Sequence, residues 1–137
     1  MRLTGIVALS AIVLGLIATP ALAWKQPTPS EKRAITQAVL RAIPAATRPK
    51  IEVKRIRVTS VRLYGIDFAP FAWASEVPKP GFEDSVQPQV FAVQRVPTAS
   101  GGSRWVTVSY GTSGVGCGVV PLAYLRDLTG DRTPCPG

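Results

Sequence analysis

The sequence predicts an α+β fold: one N-terminal amphipathic helix packed on a 3-4-stranded antiparallel sheet, with a disulfide-tied C-terminal tail. Three observations carry that reading. Between Ser30 and Pro44, apolar residues recur at helical spacing. Between Ile51 and Tyr110, short β-branched and aromatic runs are separated by turns rich in proline and glycine. The 2 cysteines, Cys117 and Cys135, stand just beyond the last of these runs and in the tail.

Met1–Ala23 has the layout of a secretory signal. Arg2 supplies the positive start, Ile6–Ile17 is apolar apart from Ser10 and Gly15, and Pro20 precedes the small-residue site Ala21-Leu22-Ala23. The apolar run is shorter than the ~20 residues of a spanning helix, so cleavage rather than anchoring is expected. No transmembrane segment is expected after signal removal, and the protein is expected to be secreted or held in the cell envelope. An oxidising destination favours a Cys117–Cys135 bond, which would contribute about 3 kcal/mol by constraining the unfolded chain.

Residues 24–29 read as a polar, proline-containing arm, and residues 30–137 as one small domain. Ser30 is the expected N-cap, with Glu31 placed to suit the helix dipole. Ile35, Ala38, Val39, Ala42 and Ile43 then form one face, Lys32, Arg33, Gln37 and Arg41 lie off it, and Pro44 ends the helix. A loop to Pro49 leads into a strand over Ile51–Leu63. Its apolar parity switches from Ile51 and Val53 to Ile56 and Val58, which predicts a bulge near Lys54-Arg55. The stretch from Arg48 to Leu63 carries Arg48, Lys50, Lys54, Arg55, Arg57 and Arg62 against Glu52. It reads either as an anion-binding strand or as the solvated face of an edge strand, where cations prevent unwanted pairing.

Tyr64, Phe68, Phe71 and Trp73 concentrate the aromatic content, and Pro70 separates a loop from a strand over Phe71–Val77. Pro78–Pro88 is turn-rich, Gln89–Val96 is a strand, and Pro97–Ser103 is a hairpin loop returning through Arg104–Tyr110. The glycines from Gly111 to Gly118 form a turn in which positive φ is expected. A short apolar-periodic run from Leu122 to Leu128 precedes the tail.

The helix followed by a strand meander resembles the cystatin-like and nuclear-transport-factor-like architecture. The string Trp105-Val106, Gly111, Gly116-Cys117, Pro121, Asp127-Leu128 and Cys135 resembles small exported bacterial proteins. The resemblance implies a fold and an extracytoplasmic address, and it carries over no catalytic residue.

The chemistry open to the chain is narrow. It has 0 histidines, which removes Ser-His-Asp and Cys-His catalysis and histidine-held metals. The glycine run lacks the lysine of a P-loop and the spacing of a dinucleotide fingerprint, and Ser113 is not in a nucleophile elbow. A pair such as Asp67 and Glu76 could meet as acid and base, but nothing in their spacing argues for it, and surface charge or local capping is the ordinary reading. No catalytic residue, cofactor or metal is predicted.

A formal charge of +8 either favours contact with an anionic surface or merely keeps a small protein soluble. The first reading is therefore a non-catalytic binding module whose Lys54, Arg55, Arg57 and Arg62 meet an anionic envelope polymer or lipid surface. The second is an inhibitor or accessory protein that uses Pro78–Asp84 as a wedge against a secreted protein partner. The third is a small-ligand or enzymatic pocket between helix and sheet, lined by Phe71, Trp73 and Phe91. Nucleic acid is not the expected partner.

Overall fold

A computed structural model describes residues 24–59 and 70–136. The expected signal Met1–Ala23, together with Arg62, Tyr64, Asp67 and Phe68, lies outside the described residues. The elements in chain order are β1 (Trp24–Lys25), α1 (Pro29–Ala42), β2 (Ile51–Thr59), β3 (Phe71–Pro78), β4 (Val90–Pro97), β5 (Ser103–Gly111) and α2 (Leu122–Thr129). The strands form a single antiparallel meander in the order β1-β2-β3-β4-β5. The α+β class holds, with two corrections: among the described residues the sheet has five strands, and there are two α-helices.

The fifth strand comes from the N-terminal arm. Trp24 and Lys25 pair with Thr59 and Val58, so the arm is tied to the C-terminal end of β2 instead of trailing free. The helix that follows begins one step earlier than its apolar stripe suggests. Thr28, not Ser30, is the N-cap, and it forms a reciprocal capping box with Glu31. The Glu31 N–H donates to Thr28 Oγ1 at 3.1 Å, and the Thr28 N–H donates to Glu31 Oε1 at 3.0 Å. Pro29, whose missing N–H costs nothing in the first turn, takes the opening helical position.

The two helices cover opposite faces of the sheet. Ile35, Ala38, Val39 and Ile43 of α1 bury against Val58, Ala72, Ala74, Phe91 and Val93. Tyr124, Leu125 and Leu128 of α2 bury against Phe71 and Ala92, joined by Val115 and Val120 from the glycine-rich turn. This explains why Phe91, Ala92 and Val93 are all buried although neighbouring side chains on a strand point oppositely. Fully burying each large apolar side chain contributes about 1.5–3 kcal/mol, so both layers are needed in a chain this short.

The bulge in β2 falls where the parity switch placed it. Register with β3 shifts between Lys54 and Arg57, and Arg55 adopts a positive φ of 54°. The extra residue keeps Ile51, Val53, Ile56 and Val58 all on the α1 side despite their change of parity. Cys117 and Cys135 are bonded across 18 residues, fastening the tail beside α2. No helix among the described residues is long and apolar enough to cross a membrane.

Candidate functional site

The bulge decides the fate of the basic strand. At Arg55 the backbone turns outward, and the side chains of Lys54 and Arg55 are exposed. The N-terminal arm and the first turn of α1 approach the same place. Together they frame a groove of about 600 Å³ whose walls include Trp24, Lys32, Lys54, Arg55, Ile56 and Arg57. Lysines and arginines from two elements therefore converge around an aromatic ring and an apolar floor. A strand lacking the bulge would send Arg55 to the buried side, because a one-residue slip exchanges the two faces.

The four predicted cations do not share one role. Lys54 Nζ lies 3.0 Å from Glu52 Oε2 in a half-exposed pair, a contact worth at most about 1 kcal/mol. Such a pair opens readily to a competing anion. Arg55 makes no hydrogen bond or ion pair with any described residue and stands free at the bulge. Arg57 is largely committed to the fold. Its Nη1 donates to the Leu128 carbonyl at 3.1 Å, and its guanidinium lies 4.7 Å from the centre of the Trp24 ring. There a cation neutralises the negative end of α2 and stacks on the arm at the same time. Arg62 lies outside the described residues. Lys32, which was read only as an off-stripe residue of the helix, joins the groove. Its proximity depends on the arm folding back along β2, which no local pattern announces.

Beside Arg57, the Thr59 hydroxyl donates to the buried carboxylate of Asp127, a further tie between β2 and α2. Asp127 is thus part of the seam between layers.

The other predicted features separate in space. Phe91 lies under α1, whereas Phe71 and Trp73 lie under α2, so the three rings cannot line one pocket. Phe71 and Tyr124 are packed ring to ring at 5.1 Å in the second core. The Pro78–Asp84 loop is held by its own contacts: the Gly81 N–H donates to Glu83 Oε2 at 2.8 Å, and Lys50 Nζ sits 6.0 Å from the Phe82 ring centre. Asp67 lies outside the described residues, while Glu76 is buried on β3, with desolvation raising its carboxyl above the ordinary value. Among the described residues no cluster of three or more histidine, cysteine or acidic side chains is placed to hold a metal ion.

No family model, curated protein or solved structure matches the chain.

Proposed function

We propose that the protein is an extracytoplasmic, non-catalytic binding module that engages an anionic component of the cell envelope, polymer or lipid headgroup, through the groove at the β2 bulge. The observation that carries this reading is the convergence of Lys32, Lys54 and Arg55 on a groove walled by Trp24 and Ile56. An anion entering there finds Arg55 unpaired and Lys54 held only by an exposed partner. The Trp24 ring adds a flat surface for an apolar or sugar-like backbone. Further support comes from the formal charge of +8, which draws the molecule toward anionic surfaces before any specific contact forms. The Cys117–Cys135 bond accords with an oxidising destination.

The test is co-sedimentation of the purified protein with isolated cell envelope and with phosphatidylglycerol vesicles, across a salt series. Each cation near an anionic surface contributes about 1 kcal/mol, so Lys54→Gln with Arg55→Gln should weaken binding about thirtyfold. Binding should also fall with added salt over the physiological range. Arg57 is left unchanged because its loss would disturb the seam between β2 and α2. Binding that ignores both salt and the double substitution would sink the reading, and so would the absence of binding at low salt.

A further inference from the structure

At the far end of α1 lies a second groove, of about 660 Å³, within the size range of small-ligand sites. Its floor is apolar, formed by Ile43, Val86 and Phe91. Tyr110, 57% exposed, stacks on Phe91 with ring centres 5.4 Å apart and forms part of the wall. Three charged residues also face it: Glu76 from β3, Arg41 from the last turn of α1, and Arg48 from the turn that follows.

Glu76 is the anomaly. It has the same strand parity as Ala72 and Ala74, which are sealed under α1, and it is itself only 4% exposed. Its side chain makes no hydrogen bond or ion pair with any described residue. Its carboxyl oxygens are nonetheless not among the fully sealed polar atoms, and the residue lines both this groove and a smaller cavity shared with Arg55. A buried carboxylate lacking a partner costs the fold free energy, and protein interiors rarely tolerate one without a use. Arg48 is held at the rim by its Nε, which donates to the Ile43 carbonyl at 3.0 Å.

These charges restrict what can enter. A simple anion leaves the Glu76 carboxyl without a donor, and a simple cation is repelled by Arg41 and Arg48. A lone carboxylate also falls short of the oxygen count that a divalent ion requires. A ligand bearing both charges satisfies all three residues, and an apolar body on that ligand covers the floor. We infer that this groove binds a zwitterion with a primary ammonium, a carboxylate and an apolar side chain, the chemistry shared by a free amino acid and a short peptide. The ammonium meets Glu76, the carboxylate meets Arg41 and Arg48, and the side chain rests on Ile43, Val86 and Phe91 beside Tyr110. The two grooves meet α1 at its opposite ends but approach each other across the sheet, where Val53 of the anionic groove pairs with Glu76, and Arg55 and Glu76 line a further cavity together.

The test is titration of the isotope-labelled protein with L-leucine to millimolar concentrations, read by amide chemical shifts. N-acetyl-L-leucine, which lacks the ammonium, L-leucinamide, which lacks the carboxylate, and L-leucyl-L-leucine are run beside it. L-leucine or the dipeptide should shift amides around Arg41–Arg48, Glu76 and Val86. The half-charged analogues should bind about tenfold or more weakly than their parent, since each loses a charge-assisted contact. Tighter binding of the dipeptide assigns the site to peptide ends, and tighter binding of leucine assigns it to free amino acids. Glu76→Gln should abolish discrimination against the acetylated analogue, and Arg41→Gln should weaken discrimination against the amide, both with folding verified by thermal melting. Equal affinity for the acetylated analogue, unchanged binding in E76Q, or no shifts with either leucine or the dipeptide would overturn the assignment. The Lys54→Gln protein, whose changed residue lines neither cavity around Glu76, should bind leucine as the parent does.

Discussion

Glu76 shows how one side chain can work against the fold that buries it. Desolvation raises its carboxyl above the ordinary value of 4.5. Because the folded state then binds the proton more tightly than the unfolded state, folding is favoured most at acid pH. That advantage is lost as the pH rises from the ordinary value through the raised folded value. Glu76→Gln removes the dependence. Melting temperatures of variant and parent should therefore agree near pH 4 and diverge toward neutrality, with the variant the more stable. A constant gap across that range would place the cost elsewhere. Gly116 makes the opposite case, of a residue whose smallness the packing requires. Its φ is +82°, and a Cβ there would lie 2.7 Å from Leu125 Cδ2 and 3.3 Å from Val120 Cγ2. Gly116→Ala should cost about 2–4 kcal/mol in denaturant unfolding, from backbone strain together with overpacking of the second core. A loss below about 0.5 kcal/mol, the level of an ordinary surface change, would show that the turn simply moves aside.

At the scale of elements, α2 is too short to persist alone, having only 8 residues. It is held by Tyr124, Leu125 and Leu128 in the second core, by Arg57 on its last carbonyls, and by Gly130 in the left-handed conformation at its end. The Cys117–Cys135 bond encloses the whole helix between its two half-cystines. Replacing both cysteines by serine should cost about 3 kcal/mol. Hydrogen exchange should then show the greatest loss of protection in α2, while α1 and β4 change least. Uniform deprotection would mean that the two layers unfold as one unit. The element boundaries carry a smaller lesson. Thr28 and Glu31 stand in the spacing of a capping box, directly before the apolar stripe, and Pro29 suits the first helical position. That signal was present in the sequence, but Ser30 is an equally good capping residue and stands nearer the stripe.

Over the whole molecule, charge and shape are distributed along α1, whose 14 residues extend for about 20 Å. The bulge groove lies at its first turn and the Glu76 groove at its last. Both use surface that the sheet cannot cover. At one end the arm and the bulge prop the layers apart, and at the other the Val86 loop bridges the end of the helix to the sheet. A single helix on an antiparallel sheet would leave the opposite face bare, and the chain resolves this by folding its C-terminus across it. The two binding readings are told apart by salt and Lys54 for one, and by Glu76 and Arg41 for the other, whereas Arg55 lines a cavity together with Glu76.

Periodicity and covalent chemistry were legible in the sequence because they are local. The stripe from Ile35 to Ile43 made α1, the parity switch at Lys54-Arg55 made the bulge, and two cysteines in an exported-looking chain made the bond. The continuous apolar run Val90–Val93 also carried the mark of a sheet buried on both faces, although Leu122–Leu128 alone did not say that it was the cover. Only the tertiary structure decided how distant residues divide their labour. It sent Phe91 to one core and Phe71 to the other, brought Arg57 to the end of α2, folded Trp24 over that guanidinium, and enclosed Glu76 with no partner among the described residues. Each of these depends on which side of the sheet a helix settles. A helix chooses its face by the total apolar area it removes from water, and no single stretch of sequence contains that sum.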